Sequence, residues 1–377
     1  MKTGKTRHNV NVVTLGCSKN VVDSEFLMKQ LEANGIDVIY DSGPGKAKTV
    51  IINTCGFIKD AKQESINTIL QFVKAKEEGQ IKRLFVMGCL SEKYKDELKE
   101  NIQGVDNYFG TDDFDSILSA IGADYKRELV GERLLTTPSH YAYFKISEGC
   151  DRTCSFCAIP LMRGKHKSKP VESLVAEAKS LAAKGVKELI LIAQDLTYYG
   201  IDLYGKQKLA DLLKYLSDIN GIEWIRMHYA YPAGFPLDII EVMKIRSNIC
   251  KYLDIPFQHI NNRILKAMKR GVDKSQIYEL INHLRTEIPG IALRTTLMTG
   301  FPGEGQKEFE ELREFVRETK FDRLGVFTYS EEDDTWSAGN LKDTMPEHVK
   351  KKREDIIMKD QMNISKELNN KKIGQLL

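Results

Sequence analysis

The sequence predicts two successive α/β units: a doubly wound parallel sheet, then a partial, open (β/α)6 barrel. Three observations carry this. Three short apolar segments early in the chain each run into Gly and Cys and then into a helical stretch. A charged, turn-rich stretch follows, and beyond it six more apolar segments alternate with helical ones between Tyr141 and Tyr329. Continuous apolar strands alternating with helices signify a parallel sheet covered on both faces.

The first strand, Asn9–Leu15, leads into Gly16-Cys17, and a helix is expected from Asp23 to Asn34, closed by Asn34-Gly35. Val50–Gly56 and Arg83–Cys89 repeat the pattern, each placing a cysteine beside a glycine. Ligands of such sheets bind outside the carboxyl ends of the strands. Cys17, Cys55 and Cys89 therefore converge on one edge, or else are three unrelated thiols at strand ends. Asp124–Ser139 is rich in charge and turn residues, with Thr136-Thr137-Pro138-Ser139 as its linker. The expected organisation is a first domain over 8–126, a linker over 127–139, a second domain over 140–366 and a closing segment over 367–377. Strands of the second domain are expected at Tyr141–Ile146, Glu188–Ala193, Ile222–His228, Tyr252–Ile255, Ile291–Met298 and Arg323–Tyr329, with helices such as Ser173–Lys184 and Lys274–Glu287. Six repeats fall short of the eight of a closed barrel, hence an open one. Helical spacing marks Pro346–Lys372, and Ile373-Gly374-Gln375-Leu376-Leu377 reads as the start of a further strand.

At 377 residues, 42% apolar and 29% charged, the composition is that of an ordinary globular protein with room for two or three domains. A formal charge of +3 gives little support for a strongly basic nucleic-acid surface. Met1–His8 is basic but no apolar core follows it, and no run of eighteen apolar residues occurs anywhere. A cytoplasmic location with no membrane partner is expected. Seven cysteines, three of them clustered, are too few for a disulfide scaffold and point to metal or redox chemistry.

The clustered three are Cys150, Cys154 and Cys157, in a CxxxCxxC run. A structural zinc site closes with four ligands, and no fourth Cys or HxxxH pair follows at the usual distance. Three close thiolates suit a four-iron four-sulfur cluster with one iron open to a substrate or cofactor. Zinc, and three ordinary thiols, are the competing readings.

With both cysteine sets placed, the chain resembles the radical S-adenosylmethionine (SAM) methylthiotransferases along essentially its whole length. Cys150, Cys154 and Cys157 resemble the radical-SAM motif, and Cys17, Cys55 and Cys89 resemble the family's N-terminal cluster ligands. Leu15–Glu25 (LGCSKNVVDSE), Asn53–Ile58 (NTCGFI), Ile159–Gly164 (IPLMRG) and Tyr252–His259 (YLDIPFQH) are similar to the branch that modifies an aspartate of ribosomal protein S-twelve, rather than to the tRNA-modifying branch. In the family a small β-barrel, the TRAM domain, follows, and Ile373–Leu377 resembles its opening strand.

The resemblance implies two 4Fe-4S clusters and SAM. The cluster on Cys150, Cys154 and Cys157 would bind SAM and generate a 5'-deoxyadenosyl radical, while that on Cys17, Cys55 and Cys89 would supply sulfur, with a second SAM as methyl donor. The β-carbon C-H of the aspartate would become C-S-CH3. Implied partners are ribosomal protein S-twelve, free or in the small subunit, and an electron donor such as flavodoxin or ferredoxin. Methylthiolation of isopentenyladenosine in tRNA is the alternative within the family, and a non-catalytic iron-sulfur carrier the alternative outside it.

Residues beside the strands complete the list of cofactor candidates. Gln194 and Asp195 close a strand and either contact SAM or cap a turn. Gly300 and Glu304, in Thr299-Gly300-Phe301-Pro302-Gly303-Glu304, are similar to the family's segment near the adenine, or form a Gly-Pro turn. Arg294 either neutralises the SAM carboxylate or makes a structural ion pair. Cys250 reads as a buried thiol, and His228 and His259 as satisfied core histidines. Arg163, Lys165, His166, Lys167 and Lys169 form a basic run, expected to be a solvated face ahead of a contact with an acidic or RNA-rich partner.

Overall fold

The computed structural model describes residues 9–129 and 131–374. The chain divides into two compact units interleaved in sequence. One takes the residues up to Lys145 with Ile159–Lys165 and Lys169–Lys187; the other takes Ile146–Ala158, His166–Ser168 and the chain from Glu188 onward.

The first unit holds a five-stranded sheet of β1 (Asn9–Thr14), β2 (Asp37–Tyr40), β3 (Thr49–Thr54), β4 (Arg83–Gly88) and β5 (Asn107–Tyr108), in the order β2-β1-β3-β4-β5. All pairings are parallel, with Val12 opposite Ile51 and Ile51 opposite Phe85. Alternate side chains serve opposite faces, as strand geometry dictates. Val10, Val12, Ile51, Phe85 and Met87 pack with Leu27, Met28 and Leu31 of α1 (Ser18–Ala33). Val13, Val50, Ile52, Leu84 and Val86 pack with Ile69, Phe72 and Val73 of α2 (Lys59–Glu77). The doubly wound sheet is thus the one predicted, with two added strands, β2 and the two-residue β5. β2 escapes the periodicity because it is a four-residue edge strand with no buried residue. α1 begins at Ser18, one turn and more before Asp23, because Asn20, Asp23, Ser24 and Glu25 are polar yet buried on its first turns.

Strand β6 (Tyr141–Lys145) follows, then a two-stranded antiparallel ribbon of β7 (Ser147–Glu148) and β8 (Lys167–Ser168), pairing Ser147 with Ser168. The second unit continues with β9 (Glu188–Ile192), β10 (Trp224–Met227), β11 (Ile249–Asp254), β12 (Ala292–Thr299) and β13 (Arg323–Thr328). Within this unit the strand order is β13-β12-β11-β10-β9, all parallel, so consecutive strands lie side by side as expected of the barrel. Buried and half-buried residues alternate along β12. Helices Leu209–Ser217, Asp238–Ile245, Lys274–Glu287 and Gln306–Thr319 separate the strands. Asp273 and Gln276 form a capping box on Lys274–Glu287.

The last helix runs Glu347–Asn370 and a turn occupies Lys371–Gly374. The expected strand over Ile373–Leu377 thus begins in that turn, and Gln375–Leu377, like the basic Met1–His8, lies outside the described residues. Among the described residues no helix is long and apolar enough to cross a membrane.

Candidate functional sites: two sets of three cysteines

In the first unit the order 2-1-3-4-5 reverses direction between β1 and β3, and ligands of such sheets sit at that switch point, beyond the carboxyl ends of the strands. Cys17 follows β1, Cys55 follows β3 and Cys89 follows β4. The topology therefore brings the three thiols, distant in sequence, to one edge. Glycine makes the approach possible. Gly16 has φ +89°, and a Cβ there would lie 2.5 Å from Cys55 Cβ and 2.8 Å from its Sγ. Gly88 has φ +97°, and a Cβ would lie 2.4 Å from Asn53 Oδ1 and 2.6 Å from the Thr54 carbonyl oxygen. Gly16→Ala is accordingly expected to displace Cys55. Iron held by this set should fall by roughly tenfold or more, the lower bound of the range for lost support of a ligand, as read by iron per chain after reconstitution of a chain whose Cys150, Cys154 and Cys157 are alanine. Unchanged iron would mean that the close approach is not required.

A polar network lies beneath these thiols. Asn20 Nδ2 donates to the carbonyl oxygens of Leu15 (2.7 Å) and Thr54 (3.1 Å), tying two of the cysteine loops together. Asn53 Nδ2 donates to the Asn20 carbonyl (3.0 Å) and to Ser24 Oγ (3.0 Å). Ser65 Oγ accepts from the Cys55 amide at 3.0 Å. Arg163, the last residue of the short helix Ile159–Arg163, donates from Nε to Cys89 Sγ (3.1 Å), from one terminal nitrogen to Asp23 (2.7 Å) and from the other to Asn20 Oδ1. Lys145 pairs with the second oxygen of Asp23. Burial pushes the Cys89 thiol up to about 11, against the pull of the Arg163 guanidinium, and raises Cys55 likewise. A metal held there would have to displace the thiol protons.

The basic run is thereby corrected. Lys165 and Lys167 are exposed as expected, but Arg163 and His166 are buried, at 7% and 4% exposure. His166 accepts a backbone role instead, its amide donating to Asp151 Oδ1 (3.0 Å) with its ring on Ser168 Oγ. Lys169 reaches Glu177 at 3.1 Å. Charge along the sequence marks a solvated face only where no buried partner waits, and here Asp23 and Cys89 wait for Arg163.

In the second unit Cys150, Cys154 and Cys157 occupy the loop after β7. Ser155 anchors it, its amide and Oγ donating to the carbonyls of Met268 (3.0 Å) and Ala267 (2.8 Å). Arg270 donates to Cys154 Sγ (3.1 Å) and to the Pro256 carbonyl, and Tyr231 Oη lies 3.4 Å from the same sulfur. Arg152 and Arg270 stack on the Tyr231 ring, 4.2 and 4.3 Å from its centroid. The Arg152 amide donates to Cys150 Sγ (3.4 Å), and burial pushes that thiol up to about 11. Cys154 thus has a guanidinium N–H on its sulfur, with the Tyr231 hydroxyl, which donates to the Arg270 carbonyl (2.9 Å), beside it, and a charged donor of this kind suits a cluster thiolate.

The remaining candidates divide. Gln194 donates to Glu148 (2.7 Å), and its own amide oxygen is buried without a hydrogen-bond partner among the described residues, an acceptor in want of a donor. Asp195 accepts from Arg152 (2.8 Å) and caps the turn Leu196–Tyr198 through Thr197. Arg294 pairs with buried Asp254 on the neighbouring strand. Glu304 accepts from the Gly300 amide (3.1 Å) and from Arg353 (2.5 Å), and lies 3.3 Å from the fully buried His259. Cys250 is half-buried with its thiol raised by burial, and His228 packs edge-on against Tyr229. Among the described residues no group of three His, Cys, Asp or Glu side chains is gathered tightly enough for a single metal ion. Asn20, Asp23, Arg152, Tyr231 and Arg270 were not singled out from the sequence. Asn20 and Asp23 lie within the stretch that carries the family resemblance, whereas Tyr231 and Arg270 stand in no motif and only the fold brings them to Cys154.

Comparison with known proteins finds two family matches along the chain. Residues 9–110 match the family described as uncharacterized protein family UPF0004, and residues 144–316 match the radical SAM superfamily. Solved structures share the fold at low identity. TsrM, a radical SAM methyltransferase from Kitasatospora setae, superposes with a TM-score of 0.60 at 15% identity, over 85% of this chain and 75% of its own. The cobalamin-dependent radical SAM enzyme OxsB gives 0.61 at 12% identity, over 94% and 56%. Much nearer in sequence are the ribosomal protein uS12 methylthiotransferases RimO of Cytophaga hutchinsonii, 58% identical over 98% of this chain and 85% of the relative, and of Christiangramia forsetii, 56% identical over 100% and 83%. Likeness of that extent, embracing both cysteine sets, places the chain in the family of ribosomal protein uS12 methylthiotransferases.

Proposed function

We propose that this chain attaches a methylthio group to an aspartate side chain of ribosomal protein uS12, using SAM and two 4Fe-4S clusters. The observation that carries the reading is the presence of two separate three-cysteine sets, one per unit, in a chain nearly colinear with uS12 methylthiotransferases. Membership of the radical SAM superfamily brings with it SAM and one 4Fe-4S cluster. The second cluster is assigned to Cys17, Cys55 and Cys89 on the chemistry of the donors: three thiols at one sheet edge, two of them buried, with a guanidinium on one sulfur. When bound, the clusters and SAM supply the radical, the sulfur and the methyl group that turn C-H into C-S-CH3.

The protein's own residues hold and orient. Cys150, Cys154 and Cys157 hold the first cluster, with Arg270 and Tyr231 on Cys154 and the loop fixed through Ser155. Gln194, whose amide oxygen is unpartnered among the described residues, would receive the SAM ammonium, and Arg294, about a third exposed, would neutralise the carboxylate. Asp195, Gly300 and Glu304 keep the surrounding loops in place. An electron donor of the flavodoxin or ferredoxin type supplies the reducing equivalent, and uS12 is met free or in the small subunit.

The test is anaerobic reconstitution, then incubation with SAM, reductant and a peptide copying the uS12 loop, read by mass. A gain of CH2S on the aspartate is expected. Gain instead on isopentenylated tRNA would move the substrate to nucleic acid. Absence of 5'-deoxyadenosine under every condition would leave an iron-sulfur carrier, and zinc in place of iron would overturn the cluster reading altogether.

A further inference from the structure

We infer that Arg163 is a positioning residue for the cluster on Cys17, Cys55 and Cys89, and that its guanidinium, bonded to Cys89 Sγ, raises the reduction potential of that cluster. The inference rests on the assignment of those three cysteines as cluster ligands.

The geometry separates the guanidinium's three nitrogens by task. One terminal nitrogen donates to Asp23 at 2.7 Å and the other to Asn20 Oδ1, while Nε is left facing Cys89 Sγ at 3.1 Å. The anchors are themselves fixed: Asp23 also pairs with Lys145, and Asn20 is tied to the Leu15 and Thr54 carbonyls. The helix carrying Arg163 is held as well, by Thr111 Oγ1 donating to the Met162 carbonyl at 3.2 Å. A planar fork so held delivers its remaining N–H in one direction only, which an ammonium cannot do.

The electrostatic consequence has a definite sign. The Arg163 side chain is 2% exposed, so its charge is poorly screened, and a guanidinium stays protonated at any working pH. Reduction adds an electron to the cluster and its ligand sulfurs. A fixed cation within hydrogen-bond distance of one of those sulfurs stabilises the reduced form, and such hydrogen bonds and local charge are among the levers that set cluster potentials. A merely structural arginine would need only Asp23 and Asn20; the bond to sulfur is what assigns it to the cluster.

The test uses the full chain with Cys150→Ala, Cys154→Ala and Cys157→Ala, so that any cluster belongs to the first set. Redox titration followed by electron paramagnetic resonance gives the midpoint, and iron per chain is measured alongside. With Arg163→Gln the equilibrium constant for one-electron reduction is expected to fall by about tenfold, a midpoint about 59 mV lower, at unchanged iron content. Arg163→Lys, which keeps the charge but loses the fork, is expected to fall between. A Gln variant within threefold of the parent at equal iron overturns the inference. If the Gln variant binds less than half the parental iron, the Lys variant decides: a drop of threefold or more supports the role, and an unchanged midpoint refutes it. A parent that binds no iron fails at an earlier point, and refutes the cluster assignment together with the inference built on it.

Discussion

Cys17→Ala should leave formation of 5'-deoxyadenosine from SAM within about threefold of the parent, while methylthio transfer to the uS12 peptide falls by at least about a hundredfold, beyond the range seen when only the support of a ligand is lost. The expectation follows from the separation of the two cysteine sets. Cys17 belongs to the sheet edge of the first unit, whereas Arg270, Tyr231 and Ser155 secure the loop of Cys150, Cys154 and Cys157 within the second. Cys154→Ala should instead remove both products, since SAM cleavage precedes sulfur transfer. Both products are measured in one reaction, by chromatography for the nucleoside and mass for the peptide. Parallel loss of the two on Cys17→Ala would contradict the division of labour.

The largest effect on stability is expected at Arg133. Its guanidinium, 2% exposed, donates to Glu25 at 2.9 Å and lies 3.2 Å from Glu177, carboxylates that are themselves 1% and 2% exposed. The Tyr143 carbonyl accepts from it at 2.8 Å, and Glu25 also accepts from the amide and hydroxyl of Thr136. Removing Arg133 leaves the buried Glu25 carboxylate without its cation, while Glu177 keeps Lys169, at a cost of about 3–5 kcal/mol. Arg133→Ala should therefore lower the urea midpoint markedly, and a double-mutant cycle with Glu25→Gln should return a coupling of roughly 0.5–3 kcal/mol. Strict additivity would show that the ion pair is not formed in solution.

The fold was legible wherever side chains repeat with a period. Val50–Ile52 and Leu84–Val86 are apolar throughout because both faces of the strand are covered, and that alone announces a parallel sheet. The six cysteines could be placed because each sits at a strand end or in a tight motif. What escaped was polar and buried. Asn20, Asp23, Ser24 and Glu25 are polar and carry no apolar signal in the sequence, yet each is buried by a partner tens of residues or more away: Thr54, Arg163, Asn53 and Arg133. Such partners carry no periodic signal, so pairing information resides only in the fold. Arg163 is the clearest case, since four basic neighbours disguised it as surface.

The interleaving of the units bears on how the protein is made. Glu25 waits for Arg133, Cys89 and Asp23 wait for Arg163, and Arg133 in turn waits for Glu177. A nascent chain that has emerged only to Lys126 has its five strands but none of these partners. At about 5–20 residues per second, the stretch up to Lys187 takes roughly three to twelve seconds more. Before Arg163 emerges within that interval the early sheet holds Asp23 and Cys89 without its guanidinium, whereas Glu25 meets Arg133 near the start of it. A gene fragment cut at the apparent end of the first sheet would freeze the chain in that unfinished state.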